Sequence, residues 1–225
     1  MADRLQLSER TVYRLLQRGD LPGRKVGGQW RFRMAEVDYW LDLRLTRLGS
    51  DDLRRLERPA TGRQVSLSGA MRPENALIPL APGSAREVVA AFAAAVTYGE
   101  AVDDRALADR IWEREELSST ATADGVAFLH TARWQSRVLV ASPLVAFGRL
   151  ATPLDFGALD GTPTDLLFLI LAPNAQLHLA LLARAAHLCR DAGLLAALRA
   201  ARSGSEVIEL IRTSERAAFR PRADR

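Results

Sequence analysis

The 225-residue sequence has very little cysteine and no long apolar run. Its single cysteine, Cys189, excludes an internal disulfide, and packing alone is enough to explain it. The longest apolar stretch, LLFLILAP at residues 166 to 173, is too short to cross a bilayer and fits a buried strand. The first ten residues, MADRLQLSER, lack the apolar core of a secretion signal. We therefore expect a folded cytoplasmic protein with no membrane insertion.

The sequence also lacks the motifs of common metal and hydrolase sites. It contains three histidines but no HExxH pair and no paired cysteines, and its carboxylates show no metal-ligand spacing. The nucleophile elbow of serine hydrolases is absent as well. We therefore predict neither a bound metal ion nor a cofactor.

The net charge of +4 is distributed unevenly along the chain. Residues 1 to 64 hold 14 Lys and Arg against 9 Asp and Glu, a net charge of +5. Residues 65 to 225 hold 17 against 18, a net charge of −1. A basic segment attracts the phosphate backbone of nucleic acids, but a solvated arginine-rich surface has the same composition. The residue pattern has to decide between the two.

The first 48 residues have the pattern of two helices, a hairpin and a third helix. Residues 9 to 18 show helical spacing of apolar residues, with Ser8 as the predicted cap and Gly19 as the predicted end. Residues 2 to 5 predict a short helix before it, and two alternating runs around Gly27-Gly28 predict a hairpin. The apolar stripes are Val12, Leu15 and Leu16 in the second helix, and Val37, Leu41, Leu45 and Leu48 in a last helix at residues 35 to 48.

Residues 7 to 41, LSERTVYRLLQRGDLPGRKVGGQWRFRMAEVDYWL, resemble the winged helix-turn-helix of excisionases and mercury-resistance-type regulators. Three motifs carry the resemblance: S-x-R-T-V-Y-R-L, G-x-L-P and V-G-G-x-W-R-F. It implies that DNA is a partner, with residues 9 to 18 in the major groove and the wing at Gly27-Gly28 on the neighbouring backbone. A linker is predicted at residues 49 to 64 because Gly, Pro and charged residues are mixed there.

The basic residues of this domain divide into two groups. Side chains in the first turns of a recognition helix usually contact base edges, and arginine can donate two bonds to guanine. Cations on the hairpin are expected to bind phosphates, which orient a protein without selecting sequence. The alternative is that these helix residues are only solvated and that Tyr13 packs on the wing. We expect Trp30 and Phe32 in the core. The predicted base contacts are Arg10, Thr11, Tyr13 and Arg14, and the predicted phosphate contacts are Arg24, Lys25, Arg31 and Arg33.

Residues 65 to 215 predict a layered α/β domain, a mixed sheet flanked by helices, followed by a basic tail at 216 to 225. Ser84 and Glu87 stand at capping-box spacing before its first helix. Further helices are predicted at about residues 104 to 117, 175 to 190, 194 to 201 and 206 to 213, and strands at 126 to 129, 137 to 141, 144 to 147 and 165 to 171.

Two of the three histidines are candidates for one site. His130 ends the run GVAFLH, where we expect a loop to expose its ring at the end of a strand, and His178 lies early in a later helix. His187 follows His178 by nine residues and falls on the opposite helical face. A strand-end histidine with a second histidine suits phosphoryl transfer, although a histidine taken singly is more often structural than catalytic.

Residues 65 to 215 resemble the fructose, mannitol and nitrogen-related class of enzyme IIA domains of the bacterial sugar phosphotransferase system. EREELSST, GVAFLH, TPLDFGALDGTPTDLLFLILAP, HLALLARAAHLCRD and LLAALRAARSGSEVIELI carry the resemblance in order. It implies that His130 accepts phosphate from the phosphorylated histidine carrier protein and that His178 supports the phosphate. Arg114 matches a residue near that site, and Ser119 or Thr120 is expected to donate to the phosphate.

Three features depart from the family pattern: Leu129 replaces a proline, Thr131 replaces a smaller residue, and SSTATADG replaces a glycine-rich loop. We predict a DNA-binding transcriptional regulator whose activity depends on phosphorylation of His130. One recognition helix per chain predicts a homodimer on a two-part DNA site. Two alternatives stay open: a IIA component that passes phosphate to a downstream acceptor, and a IIA-like interaction module that is no longer phosphorylated.

Overall fold

A computed structural model describes residues 1–5, 7–33, 36–37, 40–41, 44, 65–99, 102–131 and 140–219. The chain divides into two units, Met1–Arg47 and Leu48–Arg225. The predicted linker at 49 to 64 lies outside the described residues, as do most of the predicted strand at 137 to 141 and most of the predicted tail at 216 to 225. Val140 and Ala141, the described end of that predicted strand, are not in a strand.

The first unit begins with two helices, α1 (Ala2–Leu5) and α2 (Glu9–Arg18). The Ser8 hydroxyl oxygen accepts a hydrogen bond from the Thr11 amide at 3.2 Å, which satisfies one of the free amides of the first turn of α2. α2 ends at Gly19, whose φ of 73° lies in the left-handed region. Both predicted ends of the helix are confirmed.

The hairpin of the first unit consists of β1 (Arg24–Val26) and β2 (Gln29–Arg31). Its two turn residues, Gly27 and Gly28, have φ values of 58° and 81°. Residues with a Cβ atom rarely adopt such positive values, whereas glycine does so readily. Glu36, Val37, Trp40, Leu41 and Arg44 of the predicted third helix are helical, whereas Leu45 and Leu48 lie outside the described residues. The buried core of the unit consists of Leu5, Val12, Leu15, Leu16, Leu21 and Val37, and Trp30 and Phe32 pack against it as predicted.

The described strands of the second unit form one mixed sheet in the order β3-β5-β6-β4. β5 pairs antiparallel with β6, whereas β3 runs parallel to β5 and β4 runs parallel to β6. β3 was not predicted from the sequence: it contains Pro73 and Pro79 and lies at an edge of this sheet, where a missing amide is tolerated. The strands are β3 (Met71–Leu80), β4 (Val126–Leu129), β5 (Leu144–Leu154) and β6 (Thr164–Leu171).

Helices flank this sheet, which confirms the predicted α/β class. Both partners of the predicted capping box are present, because Ser84 and Glu87 each accept a bond from the other's backbone amide. None of the described helices is long and apolar enough to span a membrane. The helices are α3 (Ala85–Ala95), α4 (Asp104–Leu117), α5 (Ala175–Leu188), α6 (Ala192–Ala200) and α7 (Gly204–Ala218).

Both faces of the central strands are buried. Leu167 and Leu169 of β6 belong to a core cluster that includes Phe92 of α3 and Ile111 of α4. The intervening Phe168 faces the other way and packs on the rings of two neighbouring strands, with centroid distances of 5.9 Å to Phe128 and 5.3 Å to Phe147. Since successive side chains point to opposite faces of a strand, burial of both sets requires cover on both sides of the sheet.

One buried carboxylate joins residues 66–68, among the first described residues of the second unit, to α5 and α7. Glu215 of α7 pairs with Arg184 of α5 at 3.1 Å, and both side chains are almost fully buried. The same carboxylate accepts bonds from the amides of Leu67 at 2.6 Å and Ser68 at 3.0 Å, and from the hydroxyls of Ser66 and Ser68. α7 therefore extends five residues beyond its predicted end at 213, and the predicted boundary between domain and tail, at 215 to 216, falls inside it.

Glu215→Ala is expected to lower the free energy of unfolding by about 3–5 kcal/mol, because the substitution removes the buried carboxylate that pairs with the buried Arg184 guanidinium. The matched control is Glu209→Ala on the same helix, which removes an exposed pair with Arg212 worth about 0–1 kcal/mol. Urea unfolding of the three proteins measures both differences. Equal losses for the two variants would contradict the importance of the buried pair.

Candidate functional site

His130 and His178 come together because of the strand order. β4 and β6 are parallel neighbours, with Leu129 opposite Leu169, so both strands end at the same edge of the sheet. His130 follows β4 directly, and α5 begins four residues after the end of β6. The two imidazole centroids lie 5.2 Å apart, with their planes inclined by 52°. The topology therefore produces the histidine pair that the sequence analysis expected to share a site.

The predicted exposure of His130 is wrong. Its exposed fraction is 5%, and that of His178 is 9%. His130 Nδ1 lies 2.7 Å from the Phe128 carbonyl oxygen, two residues back along the chain. The ring is thus bonded to the backbone of its own strand end and lies beside the histidine of α5.

The Phe128 contact defines the tautomer of His130. A carbonyl oxygen only accepts hydrogen bonds, so Nδ1 carries the proton and donates it, and the neutral ring keeps its lone pair on Nε2. Burial of the ring, and secondarily the positive charge of Arg114, lower the pKa of His130 to about 3, whereas the bond to Phe128 acts in the opposite direction. The imidazole is therefore neutral at pH 7, and Nε2 is its nucleophilic atom.

Arg114 supplies the positive charge of the site. It lies on α4 with an exposed fraction of 2%, and its Nη1 donates to the Ser118 carbonyl at 2.6 Å. Its guanidinium is close enough to His130 to lower the pKa of that ring. A buried cation next to a neutral nucleophile favours the approach of an anion, since Coulomb attraction is stronger where water is excluded.

Glu115 was missed by the sequence analysis, and it organises the loop after α4. Its Oε1 accepts from the Ser119 hydroxyl and the Thr120 amide, each at 2.8 Å, and its Oε2 accepts from the Thr120 hydroxyl at 2.8 Å. Burial raises the pKa of Glu115, while these bonds and Arg114 act to lower it. A carboxylate followed four and five residues later by hydroxyls, as in EREELSST, is the sequence signal that identifies it.

The two predicted phosphate donors, Ser119 and Thr120, are therefore bonded within the protein. The Ser119 hydroxyl also lies 2.5 Å from the Phe156 carbonyl oxygen. A cavity of about 380 Å³ next to this loop has Glu115, Glu116 and Asp155 among its lining residues, and their negative charge disfavours an anion there.

His187 has a different environment, as predicted. Its ring packs on Phe219 with a centroid distance of 5.4 Å, nine residues from the histidine that lies beside His130. Within the described ranges, no three His, Cys, Asp or Glu side chains converge as a possible metal-ligand set.

The candidate DNA-contacting side chains of α2 are mostly exposed. Arg10, Tyr13 and Arg14 are exposed on the side of α2 away from its buried residues. Tyr13 is 56% exposed. Thr11 is partly buried, and its hydroxyl lies 2.9 Å from the Ser8 hydroxyl within the helix cap.

The predicted phosphate-contacting cations are all exposed on or beside the hairpin: Arg24, Lys25, Arg31 and Arg33. Arg31 donates to the Gln29 side chain at 3.3 Å, and Arg33 pairs with Glu36 at 3.4 Å. Such exposed pairs are weak, so both guanidinium groups can exchange these partners for phosphate at little cost. The unit therefore carries an exposed helix face and a basic hairpin, the two surfaces expected of a winged helix-turn-helix.

Two family models match this chain. Residues 71–214 match the family described as "Phosphoenolpyruvate-dependent sugar phosphotransferase system, EIIA 2", and residues 1–42 match a helix-turn-helix domain. The predicted order of the two domains is confirmed, while the excisionase type of the first stays a prediction.

The chain is also similar to nitrogen regulatory proteins. It is 32% identical over 147 residues to that of Bradyrhizobium diazoefficiens, covering 64% of this chain and 94% of the relative. It is 30% identical over 150 residues to that of Pseudomonas aeruginosa, covering 65% and 95%. The crystal structure of nitrogen regulatory protein IIA-Ntr from Neisseria meningitidis matches with a TM-score of 0.57 and 23% identity, over 64% of this chain and 98% of that one, which supports the fold alone.

The ring of His130 is expected to remain neutral down to about pH 4. Its pKa of about 3 in the folded protein lies below the value near 6.5 of an unfolded chain, so the unfolded chain binds the proton more tightly. The stability that His130 contributes is therefore present above about pH 6.5 and is lost as the pH falls towards 3. Long-range ¹H–¹⁵N spectra of the histidine rings between pH 7 and 4 measure this. Protonation of His130 near pH 6.5 in the folded protein would contradict it.

Proposed function

We propose, on the premise that this chain belongs to the phosphoenolpyruvate-dependent sugar phosphotransferase system EIIA 2 family over residues 71–214, that it is a DNA-binding transcriptional regulator controlled by phosphorylation of His130. The observation that carries the proposal is the pair of buried imidazoles, 5.2 Å apart, in a chain that also has a helix-turn-helix domain. Similarity to the nitrogen regulatory proteins of two bacteria supports a regulatory role.

The chemistry follows from the neutral tautomer of His130. Its Nε2 lone pair attacks the phosphorus of the phosphohistidine on the carrier protein. A new phosphorus–nitrogen bond forms as the carrier's bond breaks, and the carrier's imidazole keeps the electron pair. Arg114 favours the negative charge of the transferred group, while the bond from Nδ1 to Phe128 holds the ring in orientation. In this proposal His178 supports the phosphate from α5, since its ring centroid lies 5.2 Å from that of His130.

A second candidate, an interaction module that is not phosphorylated, is favoured by two observations. The His130 ring is 5% exposed, so transfer from another protein requires the site to open. The Ser119 and Thr120 hydroxyls are bonded to Glu115 and have to leave it before they can donate to a phosphate. The third possibility, a IIA component that passes phosphate on, leaves the exposed basic hairpin of the first unit without a role.

The regulatory step is electrostatic in this proposal. A phosphoryl group adds about −1.5 to −2 charges near pH 7, which changes how the EIIA domain interacts with basic surfaces of the chain or with DNA. One recognition helix per chain supports a homodimer, since two helices on two half-sites bind more strongly than one. The proposed partners, DNA and the phosphorylated carrier protein, correspond to a cytoplasmic protein.

Incubation with the phosphorylated histidine carrier protein is expected to add one acid-labile phosphoryl group to this chain. Intact-mass spectrometry measures the gain, which should be absent in His130→Gln and retained in His187→Gln, because His187 lies away from the imidazole pair. A gain that persists in His130→Gln would place the modification elsewhere. No gain in the unchanged protein would select the interaction module.

Lys25→Ala on the hairpin is expected to weaken DNA binding equally for all sequences and to reduce the slope of log K against log salt by about 1. Lys25 is exposed, so the loss of one phosphate contact is the expected cause rather than unfolding. Fluorescence anisotropy with labelled duplexes at several salt concentrations gives both quantities. Arg86→Ala, which removes an exposed arginine of the second unit, is the control and should leave the slope unchanged. Equal slopes for Lys25→Ala and the unchanged protein would remove the hairpin from the interface.

A further inference from the structure

Four of the exposed residues of α2 form a single stripe. Its members lie three, four and seven residues after the first one, which places them on one face of the helix. They are Arg10, Tyr13, Arg14 and Gln17. All four are exposed, and the buried residues Val12, Leu15 and Leu16 occupy the opposite face. At about 100° per residue, the flanking Glu9 and Arg18 lie about 90° from the centre of the stripe.

Gln17 belongs to this stripe, whereas Thr11, one of the predicted base contacts, does not. Thr11 lies about 110° from the centre of the stripe, is partly buried, and shares a 2.9 Å hydrogen bond with the Ser8 hydroxyl. The Gln17 side chain is exposed and has no hydrogen-bond partner among the described residues. Its amide is therefore available to a ligand that approaches the stripe.

The dimensions of the stripe match those of a major groove. Seven residues at 1.5 Å each place Gln17 about 10 Å along the helix axis from Arg10. Bases along one strand are about 3.4 Å apart, so the stripe extends over about three base steps. A helix that lies along the groove brings all four side chains to base edges, whereas a helix that enters by its first turn leaves Gln17 in solvent.

We propose that Gln17 contacts an adenine, next to guanines contacted by Arg10 and Arg14. This proposal rests on the proposed DNA-binding function. A glutamine amide accepts and donates at once, which matches N6 and N7 of adenine, and an arginine donates twice to O6 and N7 of guanine. The Tyr13 ring, 56% exposed between them, offers an apolar surface to a thymine methyl group. The preferred half-site then combines guanine and adenine within about four base pairs.

Selection of binding sites from random duplex DNA tests the assignment with the full chain and three variants. The unchanged protein should prefer adenine at one position of its half-site. Gln17→Ala should lose about 5- to 150-fold of discrimination at that position alone, and Gln17→Arg should change the preference there to guanine. Arg18→Gln, at an exposed position beside the stripe, is the matched control and should keep every base preference. A thermal melt of each variant verifies folding.

Unchanged base preferences in both Gln17 variants, with affinity retained, would mean that Gln17 is a solvated residue and would overturn the proposal while leaving DNA binding intact. Loss of preference at every position in Gln17→Ala would also overturn it, because a single base contact cannot have that effect. If the unchanged protein selects no sequence at all, the proposed function and the role of Gln17 fail together.

Discussion

The parallel pairing of β4 with β6 is the constraint on which the candidate site depends. It places the end of β4 next to the end of β6, and the chain continues from β6 into α5 within four residues. The imidazole centroids of two histidines that are 48 positions apart in the sequence therefore lie 5.2 Å from each other. Groups at the carboxyl ends of neighbouring parallel strands are a common origin of binding sites in α/β proteins. A change in register of β4 would separate the pair without altering either residue.

Burial gives this site both its reactivity and its restriction. Burial favours the neutral imidazole over the charged one, and the Phe128 carbonyl fixes the remaining proton on Nδ1, so the lone pair that the proposal uses lies on Nε2. The same burial excludes a protein donor until the site opens. Glu115 adds a second restriction, because it accepts hydrogen bonds from the Ser119 and Thr120 hydroxyls of the following loop. Opening of that loop is thus a natural point of control in the proposed regulator.

Local signals allowed much of the fold to be predicted. Ser8, Gly19 and the Gly27-Gly28 turn act on their own neighbourhoods, and the structure has each of them in its predicted role. The missed features depend on contacts that are distant in sequence. β3 is a strand because β5 pairs with it, and α7 continues to Ala218 because Glu215 is buried against Arg184 and the amides of residues 67 and 68. Both the strand that pairs with β3 and the groups that contact Glu215 lie more than a dozen residues away in the sequence, so no local pattern predicts these contacts.

The candidate site divides in the same way. The motifs and the resemblance identified both histidines and Arg114. The burial of His130 beside α5 involves a contact that is distant in sequence, which no local pattern gives.

The central claim is that phosphorylation of His130 controls the affinity of the chain for DNA. It is tested by measuring the dissociation constant for the same DNA duplex with the phosphorylated and the unphosphorylated chain, at a single salt concentration. We predict a difference of about 5- to 150-fold that is absent in His130→Gln. Equal affinities of the two forms would contradict the account.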